Sequence, residues 1–514
     1  MIIPGDIDTM GVLRAEIADG ARRNTASTVQ AIIDEAKRWK PASYDATAQR
    51  RRDHYEGKGS KWVKAALMSL FPSTGDGIPP IAYNWAKLHA DISAAVYDRE
   101  PDRDLFTVDG DEIDSEDPRS IDWADVLRKS GIRTQMPECE RRASWAGDCV
   151  VSVRPRSSLD HVTGKITTVA KVEVHWPSDV WAIPHPSAPT DDALAIAWVF
   201  RVASRSGVND PDGTFEIWTR DSVDDEENGA PLSFGPWRVS ISTADGKGTR
   251  VGQEYEYKGT ITPFAIYHYG IPAGCPWVDR GPDDVALVES LNVDVSDESY
   301  ITHLQSHTDK VYQGTRAEAA KLIGGPDKIH KIDPGETLTS LDMNPKIIEM
   351  GVGNQRRLKL WAMSKRHSQD AYSVDAQSPT SGVARQIANE PQDKARREAE
   401  AYAKEFEETR LLPILRDVVD TFTETTIGPV QHRFSTRAVS QYEDPEAKQR
   451  RVLEQRDARL ISDARAAVEL GIYDSIDDAT AAMLSDVIGS AVALPPVAPQ
   501  TGGLPDQTGG LDDG

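Results

Sequence analysis

Two histidines, His303 and His307, stand four residues apart in a segment of helical texture, the spacing at which two imidazoles share one metal ion. The glutamate of a zinc-protease helix is missing between them and no third ligand stands nearby in sequence, so the pair reads as solvated or interface histidines. Gly57-Lys-Gly-Ser60 and Gly246-Lys-Gly-Thr249 end like phosphate-cradling loops, yet neither has the upstream glycine at the required distance, and ATP hydrolysis finds no support. Asn209-Asp-Pro-Asp-Gly213 opens like a calcium loop without its remaining ligands and reads as a hairpin turn. There is no Gly-x-Ser-x-Gly elbow, and the acid pairs Asp224-Asp225 and Asp283-Asp284 lie in polar contexts that solvation explains. Cys139, Cys149 and Cys275 are too few and too scattered for a disulfide framework or a thiolate metal site, which fits a reducing cytoplasm. From these residues no catalytic group, metal ligand or cofactor is expected.

A different segment carries the positive signal. The polar loop Asp375-Ala-Gln-Ser-Pro-Thr-Ser-Gly382 opens directly into a long, highly charged helix. Ala395, Ala399, Tyr402 and Phe406 recur at helical spacing while lysines, arginines and glutamates fill the other faces. A stripe that narrow buries little alone and needs neighbours. Pro391 is expected to kink this helix near its start and Pro413 to break it again, since each removes a backbone donor and crowds the preceding turn.

The elements that must hold such a loop follow from composition and texture. With 514 residues and 39% hydrophobic content the chain has room for several globular domains. Its net charge of −23 argues against tight, nonspecific wrapping of nucleic acid, which needs a surplus of lysine and arginine, although an acidic wall lets a duplex slide past. The opening Met-Ile-Ile-Pro-Gly-Asp lacks an export signal and no run of about eighteen apolar residues occurs, so no membrane span is expected.

Helices are expected at Thr25–Trp39 and Asn84–Tyr97, followed by an acidic loop at Asp109–Asp117. Short valine-, isoleucine- and aromatic-rich runs then predict a mostly antiparallel sheet: Cys149–Arg154, Ile166–Trp176, Ala195–Val202, Thr214–Thr219 and Ile261–Tyr269. Helical texture returns at Asp283–Val311 and Ile347–Tyr372 around a small mixed insert. A further strand is expected at Val430–Phe434 and a helix at Pro445–Leu470, and the proline- and glycine-rich residues from Pro495 are expected to be disordered.

The order of these segments resembles the portal proteins of tailed bacteriophages, in particular the type with a chain of roughly 500 residues. Asp53-His-Tyr-Glu-Gly57 is similar to the family's early tyrosine-glycine element, with His54-Tyr55 replacing a tyrosine pair. Asn84-Trp-Ala-Lys-Leu-His-Ala-Asp91 through Pro101 is similar to the helix that follows, and Gly147-Asp-Cys-Val-Val-Ser-Val153 to a glycine-led strand. His175-Trp-Pro-Ser-Asp-Val180, Ile261-Thr-Pro-Phe-Ala-Ile266, Gly281-Pro-Asp-Asp284 and Leu291-Asn-Val-Asp-Val-Ser-Asp297 come next in the family's order. Ser381-Gly-Val-Ala384 then resembles the start of its long kinked helix. The insert between Val311 and Pro345 is short for the family.

The resemblance implies a noncatalytic, multidomain α+β subunit: a helix-rich wing and crown, an antiparallel sheet in the wing, long stem helices and a small mixed clip. It divides the chain into a wing (1–282), a stem helix (283–311), a clip (312–345), a second stem helix (346–372), a tunnel loop (373–382), a kinked helix with a return strand of the wing (383–440), a crown (441–494) and a disordered tail (495–514). Gln377, Ser378, Pro379, Thr380, Ser381 and Gly382 would face a channel. The partners implied are further copies of the chain in a twelve-membered ring, double-stranded DNA in the channel, the large terminase subunit, a head-tail adaptor, and the major capsid and scaffold proteins. The place implied is the virion's portal vertex, reached from the host cytoplasm during assembly. Another viral ring or scaffold protein, or a metal-dependent nuclease or hydrolase, is the alternative.

Overall fold

Alternating apolar residues between Asp148 and His268 fold into two main antiparallel sheets, with a short two-stranded ribbon at Ser222–Val223 and Ser233–Phe234 besides, and this division decides where the core lies. The computed structural model describes residues 26–73, 75–159, 166–202, 214–223, 233–243, 254–305, 310–313, 337–340, 347–368, 371–372, 382–436, 449–450, 452–453 and 456. The architecture is α+β, with antiparallel pairing in every sheet among these residues.

Four helices open the chain: α1 (Ala26–Arg38), α2 (Ala42–Tyr55), α3 (Ser60–Leu70) and α4 (Trp85–Ser93). Asn84 caps α4 by accepting the Lys87 amide. The sequence carries helical spacing on to Tyr97, but the structure ends α4 at Ser93. The buried Glu140 carboxylate takes the amides of Ala95, Val96 and Tyr97 at 3.1, 3.1 and 3.4 Å, so those donors cannot continue the helix. A strand that the sequence reading missed, β1 (Asp102–Phe106), precedes α5 (Pro118–Ser130) and α6 (Ile132–Ala146).

Next come β2 (Asp148–Leu159), β3 (Ile166–His175), β4 (Val180–Ile183), β5 (Ala197–Val202), β6 (Thr214–Thr219), the short β7 (Ser222–Val223) and β8 (Ser233–Phe234), β9 (Arg238–Thr243), β10 (Tyr255–Glu256) and β11 (Phe264–His268). One sheet has the order β11-β2-β3 and the other β10-β9-β6-β5-β4. Gly147, which leads β2, sits at φ +101°, and a side chain there would meet the Val278 carbonyl at 2.9 Å, so glycine is required.

Strand periodicity explains why the five-stranded sheet is apolar on both sides. Ala182, Trp198, Phe200 and Trp218 face Phe264 and Ile266 of the other sheet, while Trp181, Ile183, Val199 and Ile217 face Ile32, Ile33 and Ala36 of α1. The three-stranded sheet turns its second side, through Val151, Val153 and Val172, toward α6 and the last helices of the chain.

Helix α7 (Asp283–Gln305) is shorter than the expected Asp283–Val311, because β12 (Lys310–Gln313) is already a strand, paired with β13 (Thr337–Ser340). Helix α8 (Ile347–Ser364) likewise stops short of the expected Tyr372. Helix α9 (Gly382–Phe406) contains Pro391, then five residues, Glu407–Leu411, form a π-helical turn before α10 (Leu412–Phe422). The helix is not broken at Pro413 as expected: it runs on through this π-helical turn, in which Leu412 donates to the Glu407 carbonyl, one residue further back than in an α-helix, and the turn takes up Pro413's missing donor. The final described strand, β14 (Gln431–Ser435), pairs with β1.

The chain separates into two units. Residues 1–377 with 388–438 form the one just described, and residues 378–387 with 439–514 form the other. Most of the second unit, including nearly all of the expected crown and the whole tail, lies outside the described residues.

Candidate functional site

Of the loop residues singled out by sequence, Gln377, Ser378, Pro379, Thr380 and Ser381 lie outside the described residues, and Gly382 is the first residue of α9. His307 also lies outside them. What the structure describes is the anchor at the upstream end of that loop and the two helices that lead to it.

The anchor begins where α8 ends. The His367 amide donates to the Ala362 carbonyl at 2.8 Å and the Arg366 amide to that of Met363 at 3.1 Å, the paired bonds of a Schellman ending. Glycine normally holds the left-handed position of that motif. Here it is Arg366, at φ +59°, the sole non-glycine residue with positive φ among the described residues. Its guanidinium reaches Glu398 of α9 at 2.6 Å.

This reversal turns the chain back into the protein. His367 is buried, with Nε2 3.0 Å from Ser93 Oγ, and Tyr372 stacks on Trp361 at 4.8 Å with its hydroxyl 2.7 Å from His89 Nδ1. Ser93 donates its proton to the His89 carbonyl at 2.8 Å, so its Oγ can only accept from His367. That puts the proton on His367 Nε2 and leaves Nδ1 without a partner. The arrangement is the reverse of a nucleophile held by a base, and it joins α4 to the end of α8. Burial, with His367 and Lys365 adding to it, holds His89 well below the usual histidine range. Burial and then Lys365 push His367 down to about 4. Both rings are therefore neutral near pH 7.

A charged cluster ties both leading helices to α2. Asp284 accepts from Lys365 Nζ at 2.8 Å and Trp361 Nε1 at 3.1 Å, with Arg51 3.9 Å away. Burial alone would raise the Asp284 carboxyl, but Lys365, Trp361 and Arg51 outweigh it and hold it below the usual range. Glu289 is held the same way, against burial, by His54 at 3.0 Å and by Arg50. Asn292 and Ser296 bond the backbone of Tyr83 and Ile81, beside the buried Val285, Val288 and Leu291, so the polar groups on the inner face of α7 are engaged.

The outer faces are different. Helix α7 contains six acidic residues and no lysine or arginine, whereas α8 contains Arg356, Arg357 and Lys359 against one acid, Glu349. Arg357 reaches back to Asp294, but Asp297, Glu298 and Arg356 have no ion-pair partner among the described residues. Asp297 is raised by burial and by its neighbour Asp294. Val352, Leu360 and Met363 are 61%, 56% and 54% exposed and fall within a quarter-turn arc of α8. One helix thus offers acid, and the other offers base with an apolar stripe.

Among the described residues no group of three or more histidine, cysteine, aspartate or glutamate side chains is placed to hold a metal. No helix among them is long and apolar enough to cross a membrane. No protein-family model matches the chain, and no curated protein matches it.

The sequence reading overlooked Arg366, His367, Tyr372, His89 and Ser93. The run Lys365-Arg366-His367 was the available signal, since basic residues favour a helix C-terminus, and it would have ended α8 at its observed place.

Proposed function

We propose that the chain is the portal subunit of a tailed bacteriophage, one of twelve copies in a closed ring at a single capsid vertex, and that double-stranded DNA enters and leaves through the ring. The observation that carries this reading is the pair α7 and α8, with complementary charge on two helices and an uncovered apolar stripe on one. A heterologous ring joins unlike faces of successive subunits, so an acidic helix of one copy meets the basic, apolar helix of the next. The resemblance in segment order along the chain adds to it.

On this reading residues 1–282 are wing, α7 and α8 are stem, and the paired strands β12 and β13 belong to the clip that meets the large terminase subunit and then the head-tail adaptor. Residues 441–494 form the crown, and major capsid and scaffold proteins surround the wing. The motor supplies the energy, and the ring supplies the passage and the docking surface. The loop Gln377–Gly382 faces DNA with short polar groups that carry no fixed positive charge, so contact does not become grip by counterion release.

The loop assignment is tested by replacing Gln377, Ser378 and Thr380 with lysine, which adds about thirty-six positive charges to a twelve-membered ring. The variant is expected to assemble, to bind DNA more tightly at low salt, and to package less DNA. Normal packaging and unchanged DNA binding in assembled rings would remove these residues from the channel wall.

A further inference from the structure

Helix α3 has an apolar side that is longer than the surface covering it. Val63 and Leu67, four residues apart, are fully buried in a cluster with Ile78 and with Val293 of α7, and Tyr300 of α7 packs against that cluster. Leu70 follows three residues later on the same side, yet it is 63% exposed, and Met68 is 50% exposed. The chain after α3 turns back over a different side, where Lys64 Nζ meets the Gly75 carbonyl at 3.2 Å.

Acid borders this patch. Asp297 stands between Val293 and Tyr300 in one row of α7, a turn from each, and Glu298 adjoins it. The outer stripe of α8 has the same make-up with the opposite charge, since Val352, Leu360 and Met363 accompany Arg356. Within one copy the two surfaces do not cover each other, because each of these five apolar side chains is at least half exposed. Helix α8 is held to α7 by its other side: Trp361 Nε1 donates to Asp284 at 3.1 Å and Arg357 pairs with Asp294.

We propose that the end of α3, together with the acidic side of α7, is the seat for α8 of a second copy of the chain. Leu70 and Met68 meet Leu360 and Met363 there, and Asp297 and Glu298 face Arg356. This rests on the ring reading and adds to it a helix from outside the stem. The reason for adding it is that α7 has no large exposed apolar residue among the described ones, so acid alone answers Arg356 but leaves the apolar stripe of α8 in water. Leu70 and Met68 supply the missing apolar half. The charges also select the pairing, because two α8 stripes set face to face would bring Arg356 against its own copy.

The test is disulfide trapping between copies. Chains carrying Leu70→Cys or Met363→Cys are expressed singly and together, oxidised with diamide and read by non-reducing electrophoresis, with native mass measured in parallel. A covalent dimer in the coexpressed sample, at least about tenfold above either single variant, is the result expected. Leu70→Asp is expected to raise the concentration needed for half assembly about tenfold and to leave the Tm of the dissociated chain unchanged, since the side chain is already exposed there; Leu70→Met is expected to assemble normally. Assembled rings that give no mixed cross-link, or normal assembly of Leu70→Asp, would overturn this seat and leave the ring reading standing. Equal cross-linking of Met363→Cys alone would show stripe-on-stripe pairing and overturn it too. A wild-type chain that never assembles would overturn both.

Discussion

Arg366 holds a backbone conformation that costs an L-residue about 1 kcal/mol and that glycine adopts freely. Replacing it with glycine is expected to raise the Tm slightly, because its partner Glu398 is a half-exposed ion pair of small worth. Arginine there ties the end of α8 to α9, on either side of the polar loop. The histidines beside it carry a pH dependence. His89 and His367 are depressed in the folded protein, the latter to about 4, and burial also lowers His175 to about 4 and His432 to about 3. Between those values and the unfolded value of about 6.5 the unfolded chain binds more protons, so stability is full above that window and falls as pH drops through it. His268 acts in the opposite sense: burial lowers it, but Asp148 outweighs burial and raises it. Glu140, which burial raises to about 7, also acts in the opposite sense. With four depressed histidines among the described residues against these two raised groups, Tm is expected to fall between pH 7 and 4.5, and His367→Gln to fall less steeply. An identical slope in that variant would remove His367 from the account.

At the scale of elements, single buried carboxylates decide where helices stop. Glu140 ends α4 by taking three amides. Glu140→Ala is expected to cost roughly 3 kcal/mol, and Glu140→Gln much less, since an amide oxygen can still serve Ala95 and Val96. Equal losses in the two variants, read by denaturant unfolding, would contradict this. Glu407, in the π-helical turn, is fully buried and receives Arg103 Nε and Nη2 at 2.6 and 2.7 Å and the Tyr97 hydroxyl at 2.9 Å. Removing Glu407 alone is expected to cost about 3–5 kcal/mol, and Arg103→Met with Glu407→Leu to recover much of it, because the single change strands a buried charge. These long-range pairings explain what the sequence did not reveal. The strands from Cys149 to Tyr269 and the helix at Thr25–Trp39 were legible because burial repeats along one short stretch. Strand β1 was not, since Asp102-Arg-Asp-Leu-Phe106 gains its partner only from Gln431–Ser435. The end of α4 was hidden because Glu140 lies 45 residues along the chain from Ala95, and the anchor at His367 and Tyr372 because its partner α4 is far more remote still.

For the whole molecule, α7 and α8 carry charge without ion-pair partners and exposed apolar surface among the described residues. Arg356→Glu is expected to weaken assembly, and a partner change of Asp297 and Glu298 to lysine to restore it; failure of both to alter assembly would move the interface elsewhere. Removing residues 495–514, which are rich in proline and glycine, is expected to leave assembly intact. The most direct test of the portal reading is the native mass of the purified chain, viewed in parallel by electron microscopy. Twelve copies of the 56.4 kDa chain give roughly 680 kDa, and a closed ring of that mass with a central opening is the result expected. A particle that stays at 56.4 kDa at high concentration and with capsid partners coexpressed would contradict it.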